Sequence, residues 1–205
     1  MSKPLHRPPF RGTSELARQI QGQQNAADIV VHGLSRRATH GWLSVGALRF
    51  SCALGRSGRL YRKAEGDGGT PIGIWRLRAV LFRAGALPYL RHPRVGRANH
   101  DLSPRPIRPD DGWCDGRGDR NYNRAVKRPY PASSETLWRD DRLYDLIVVL
   151  DHNQRPRVQG GGSAIFMHVA RPGLTPTEGC VALREPHLRR VLASLRRGAR
   201  LRIVG

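Results

Sequence analysis

Apolar and polar positions alternate with a short period along most of the chain, the signature of strands with one buried face. Ile29-Val30-Val31, Trp42-Leu43-Ser44-Val45 and Ala47-Leu48-Arg49-Phe50-Ser51-Cys52 are β-rich runs. Gly33, Gly41 and Gly46 punctuate them, as in a meander or sandwich. A further strand is predicted over Ile74–Val80, entered through the turn Thr70-Pro71-Ile72-Gly73. Tyr144–Leu150 reads as a buried strand. So does Gly162-Ser163-Ala164-Ile165-Phe166-Met167-His168, which follows a Gly-Gly-Gly turn signal. The clearest helical period spans Glu185–Arg197, where Leu188, Val191, Leu192 and Leu195 recur at i, i+3, i+4 and i+7. Its other face is rich in arginine, and Gly198 closes it. Leu201–Val204 predicts a last edge strand.

Two segments escape this patterning. Residues 1–27 are polar, basic and broken by Pro4, Pro8 and Pro9, which predicts a flexible arm with at most a short helix over Ser14–Gln21. The alternative for this arm is a polybasic anchor for anionic polymer or lipid head groups. Residues 28–205 form the folded domain. Within it, 82–142 carries many prolines and arginines and few apolar runs. A loop-rich stretch of that length in a compact domain predicts a lid or an inserted capping subdomain. Its aromatics Trp113, Tyr122, Tyr130 and Trp138 alternate with arginines and Lys127, a pattern suited to stacking on bases or to lining a pocket for a carboxylate-bearing peptide. Asp110, Asp111, Asp115 and Asp119 argue against a specific nucleic-acid groove, which leaves a lid.

Composition sharpens the picture. There are 36 Lys and Arg against 16 Asp and Glu, a formal net charge of +20, which attracts polyanions whether or not binding them is the function. No apolar run approaches the ~18 residues that span a bilayer. The first 30 residues hold no apolar h-region, so no standard secretory signal is visible. The loop Glu65–Gly73 lacks the lysine of a phosphate-cradling P-loop.

The three cysteines make an odd count, so one thiol at least is unpaired within a monomer. Cys52, in an apolar run, and Cys114, in a loop, read as small hydrophobes or loop thiols rather than as a disulfide. Cys180 differs. Gly179 precedes it, and His168 stands at the end of a strand one short, proline-bearing loop upstream. An imidazole beside a thiol takes its proton or lowers its pKa, and a glycine lets backbone N–H groups face a developing oxyanion. A zinc site drawn from Cys114, His152, His168 and Cys180 is the rival, but it lacks any clustered ligand pair.

The segment His168…Thr177-Glu178-Gly179-Cys180 resembles the catalytic motif of the L,D-transpeptidases (YkuD domain), in which a histidine precedes Ser/Thr-His-Gly-Cys. Here Glu178 stands where a second histidine is usual, and the loop is shorter. Both departures fit a divergent bacterial branch with His-Val-Ala-Arg-Pro followed by Thr-Glu-Gly-Cys-Val-Ala-Leu. The resemblance extends to Cys52-Ala53-Leu54-Gly55, Glu65 to Pro71, Asp110 to Asp115, Tyr144-Asp145-Leu146 and His152-Asn153.

It implies a mainly β fold, a YkuD-like sandwich or barrel with a few short helices and a capping insertion. Cys180 is then the nucleophile, His168 the general base, and the N–H groups of Gly179 and Cys180 the oxyanion hole. Glu178, Thr177, Arg171, His152, Asn153, Tyr144 and Trp113 are the expected substrate contacts. Two of these keep a second reading: Glu178 as a loop cap and Arg171 as a solvated side chain. The implied substrate is a peptidoglycan stem peptide with meso-diaminopimelate, cross-linked through a thioester or trimmed by L,D-carboxypeptidase action. Carbapenems are the implied inhibitors, no metal or cofactor is required, and a monomer in the periplasm or cell envelope is expected. The non-enzymatic alternative, a basic nucleic-acid or envelope-polymer binding module, explains the charge and leaves His168 and Cys180 without a role.

Overall fold

The computed structural model describes residues 29–85, 102, 104–195 and 198–205. The arm expected over 1–27 lies outside the described residues. Within them the strands run β1 (Ile29–Gly33), β2 (His40–Val45), β3 (Leu48–Ala53), β4 (Arg59–Leu60), β5 (Thr70–Pro71), β6 (Gly73–Phe82) and β7 (Pro104–Pro106). There follow β8 (Asp111–Cys114), β9 (Arg124–Lys127), β10 (Ser134–Thr136), β11 (Leu146–Leu150), β12 (Phe166–Val169), β13 (Val181–Leu183) and β14 (Arg200–Ile203). Helix α1 (Glu185–Ala193) and a 3₁₀ turn, Pro172–Leu174, complete the elements. No described helix is long and apolar enough to cross a membrane.

Eight strands close on themselves in the order β11-β12-β13-β3-β2-β1-β14-β6, because β6 pairs with β14 on one side and β11 on the other. Strands β1, β2 and β3 form the antiparallel meander that their glycine spacing predicted. Inside the ring sit Ile29, Val31, Leu43, Val148, Met167, Val181 and Leu201, each fully buried. The apolar stripe of α1, Leu188, Val191 and Leu192, joins the same core. The barrel thus has two faces per strand, and the alternation in sequence is the alternation between them.

The outer face of β11 and β12 is apolar too, which explains the unbroken run Leu146–Leu150. Leu146, Val148 and Leu150 belong to the inner core. Ile147 and Val149 belong to a second cluster with Phe166, Trp113, Leu137 and Tyr144. That second cluster is roofed by the insertion, whose strands β8, β9 and β10 form their own antiparallel sheet.

Four local expectations differ from the structure. Strand β14 is not an edge; it lies between β1 and β6, since ring closure gives even a half-polar strand two partners. Cys114 lies on β8, not in a loop, and all three cysteines are free and buried. Helix α1 ends at Ala193. The strand expected from Gly162 begins only at Phe166, because Gly162 (φ 93°) and Ala164 (φ 51°) turn the backbone into the left-handed region.

Candidate active site

Strands β12 and β13 are consecutive, adjacent and parallel. Parallel neighbours cannot be joined by a tight turn, so residues 170–180 cross back along the strand before β13 begins. The register pairs Met167 with Val181 and His168 with Ala182. One step earlier, Cys180 falls beside Phe166, whose N–H points at the sulfur at 3.4 Å. Met167 and Val181 face the barrel interior, so His168 and Cys180 both face outward, onto the roofed side.

Both open into one cavity of about 440 Å³ between barrel and insertion. Each is parked on a backbone carbonyl. The Cys180 thiol donates to Ala164 O at 3.2 Å, and His168 Nδ1–H donates to Val169 O at 2.8 Å. With Nδ1 carrying the proton, Nε2 is the basic nitrogen. The left-handed Ala164 is what turns its carbonyl toward the sulfur; such strain in a non-glycine residue concentrates at functional sites. Burial pushes the Cys180 thiol up to about 12, and the charge of Glu135 adds to the rise. Burial holds His168 down to about 4. The resting pair is therefore thiol and neutral imidazole, not thiolate and imidazolium.

Thr177 builds the nucleophile turn. Its hydroxyl donates to Cys180 O at 2.7 Å and accepts from Gly179 N at 3.2 Å, while its backbone pairs with Leu54 and Arg56. Gly179 sits at φ 129°, and a Cβ there would come 2.8 Å from Gly69 O, so only glycine fits. Glu178 lines the cavity rim and is ion-paired with Arg56 at 2.8 Å, both well exposed. Arg171 also lines the cavity and reaches Asp141 at 3.4 Å. The Tyr144 ring stands edge-on to His168 at 5.3 Å and its hydroxyl donates to Glu135 at 2.6 Å.

Trp113, His152 and Asn153 do not line the cavity. Trp113 packs edge-on against Phe166 in the outer cluster and donates to Asn123 Oδ1 at 3.0 Å. His152 donates to Gly161 O at 3.1 Å, and Asn153 binds Val158 O and Gly162 O. These two clasp the loop that leads to Ala164. Among the described residues no three His, Cys, Asp or Glu side chains gather as a metal-ligand set.

Sequence patterning missed Glu135 and Arg139, which the insertion brings to the cavity wall. Burial raises the Glu135 carboxyl above the ordinary range. It also missed Lys63, whose side chain is 5% exposed and whose ammonium binds Asp67 at 2.5 Å and Ala64 O at 2.8 Å. Burial alone would raise the Asp67 carboxyl, but hydrogen bonds from the Ala64 N–H, Lys63 and the Gly69 N–H together hold it below the usual range. A Cβ on Gly179 would come 3.4 Å from the Lys63 stem, and the Lys63 charge opposes that of Glu135 at the sulfur. Lys63→Met is expected to slow alkylation of Cys180 at fixed pH several-fold, read by peptide mass spectrometry. It should also cost about 3 kcal/mol in urea unfolding, because Asp67 is left half-buried without its cation. An unchanged alkylation rate would separate Lys63 from the thiol.

A family model, the L,D-transpeptidase catalytic domain (YkuD), matches residues 44–203, more than three quarters of the chain. The chain belongs to the YkuD family. No curated protein and no solved structure matches it. Membership supports L,D-transpeptidase-type activity on peptidoglycan, in keeping with the cell envelope. In this YkuD domain the matched region contains the whole closed ring except β1 and the first four residues of β2.

Proposed function

We propose that the protein is a cysteine L,D-transpeptidase that forms or remodels peptidoglycan cross-links through a thioester on Cys180. One observation carries this: thiol and imidazole face the same cavity from adjacent strands, the imidazole with its basic Nε2 free of the Val169 hydrogen bond. The cavity wall suits an amphoteric ligand. Glu65 and Glu135 offer carboxylates to an ammonium, and Arg139 and Arg171 offer guanidinium groups to a carboxylate. A meso-diaminopimelate residue of a stem peptide carries both groups.

In the proposed reaction the sulfur leaves the Ala164 carbonyl and attacks the diaminopimelate carbonyl. Its proton passes to His168 Nε2, and the backbone N–H of Cys180 receives the oxyanion, joined by that of Gly179 once it leaves the Thr177 hydroxyl. The tetrahedral carbon expels the following D-residue, whose amine takes the proton from His168, leaving a thioester. An amine of a second stem then attacks, its proton passing to His168, and the thiol is regenerated as the cross-link forms. Water in place of the amine gives carboxypeptidase trimming.

The test is intact-mass analysis after incubation with a carbapenem, followed by peptide mapping. A single covalent adduct on Cys180 is expected. A protein that stays unmodified while iodoacetamide still alkylates Cys180 would rule the assignment out, because the sulfur would then be reachable and unreactive toward an acyl donor.

A further inference from the structure

The charge of this protein is not spread evenly. No Asp or Glu occurs from Ile29 to Ala64, from Gly68 to His100, or after Glu185. Strands β1, β2, β3, β6 and β14 all lie in those stretches. The carboxylates of the cavity, Glu65, Asp115, Glu135 and Glu178, lie outside those stretches.

The outward faces of β6 and β14 are set by alternation. Leu77, Leu201 and Ile203 are buried, whereas Ile74, Arg76, Arg78, Arg200 and Arg202 are exposed. The register places Arg200 directly opposite Arg76 and Arg202 opposite Ile74. The row through Arg202 continues by pairing across Val30 and Ser44 to the exposed Arg49 on β3. It crosses five strands, about 19 Å at the usual strand spacing. Ile74 stands 53% exposed in this field of arginines. Asp151 accepts from the Arg76 backbone N–H at 2.8 Å.

We infer that this arginine face docks the protein on an anionic lipid bilayer. A broad convex array of guanidinium groups around one exposed aliphatic side chain fits a plane of phosphates with an apolar layer beneath it. In the ring order, β1 and β14 lie across the barrel from β12 and β13, so docking here turns the cavity away from the membrane. The catalytic side would then face the polymer that lies beyond the lipid surface.

The experiment is co-sedimentation of the full chain with phosphatidylglycerol-containing vesicles at low salt, with phosphatidylcholine vesicles and duplex DNA alongside. The variant R76Q/R78Q/R200Q/R202Q is compared with R108Q/R120Q/R124Q/R128Q, which removes the same charge from exposed positions on the insertion. The first should lose at least about tenfold in partitioning, since each arginine near an anionic surface is worth about fivefold. The second should stay within about threefold of the unmodified chain. Equal losses in the two variants would assign binding to diffuse charge. No loss in the first would assign it elsewhere, for example to residues 1–27. Retention on DNA without binding to vesicles would assign it to a polymer. Each of these overturns the proposal. If the quadruple variant does not fold, R76Q/R78Q and R200Q/R202Q should each show about half of the loss on a logarithmic scale. Carbapenem labelling of Cys180 is read in parallel and is independent of the outcome.

Discussion

Cys180→Ala is expected to reduce turnover of a tetrapeptide stem by on the order of 10⁵-fold, about 7 kcal/mol in the barrier, as when a covalent nucleophile is deleted elsewhere. The thioester has no other atom to form on: Cys52 faces the barrel core and Cys114 is buried on β8. Burial pushes both the Cys52 and Cys180 thiols up to about 12, but Cys52 does not line the cavity that holds His168. The fold should survive, because only a sulfur is lost from the outer apolar cluster, a cost of about 1 kcal/mol. Vesicle or polyanion binding should be untouched, since the charge is unchanged. The measurement is product release by liquid chromatography beside a thermal melt. Residual turnover within tenfold of the unmodified protein, with the melt intact, would mean that Cys180 is not the nucleophile.

The sequence made the barrel readable wherever one face of a strand met the core. The meander β1-β2-β3, the apolar β11 and the amphipathic α1 all follow from periodicity, because each period maps onto burial that the structure contains. That His168 and Cys180 open into one cavity was also readable, since strand, loop and strand are contiguous in sequence. What stayed hidden depends on distance along the chain or on backbone shape. Glu135 and Arg139 reach the cavity only because the sheet β8-β9-β10 packs on the outer face of β11 and β12, and no local pattern announces that packing. Ala164 reads as strand by composition, yet takes φ 51° to present its carbonyl to the sulfur. Strand β14 looked like an edge because Arg200 and Arg202 alternate with Leu201 and Ile203. In a closed barrel a strand with partners on both sides can still present one face to solvent, as β14 does, so alternation does not mark an edge.

His168→Gln is expected to slow acylation of Cys180 by a carbapenem or stem peptide between about 10²- and 10⁴-fold, the usual worth of a positioned base. Its pH signature distinguishes this from a packing defect. Burial holds the His168 pKa at about 4 against an ordinary 6.5, so Nε2 remains a proton acceptor far into acid. Acylation should therefore keep its acid limb near pH 4, and the glutamine variant should lack that limb. Stability supplies the second readout. Above pH 6.5 the imidazole is neutral folded and unfolded, and contributes no slope. Between pH 6.5 and 4 the unfolded chain binds a proton that the folded site refuses, so folding weakens as pH falls, by about 3 kcal/mol in total. Below pH 4 both forms are charged and the loss levels off. His168→Gln should remove this acid-side slope, leaving the smaller one from His152, whose pKa burial also lowers. Urea melts at pH 7, 5.5 and 4.5 measure it. An unmodified protein whose stability does not fall across that range would show that His168 titrates as an exposed histidine, and the buried neutral base would have to be abandoned.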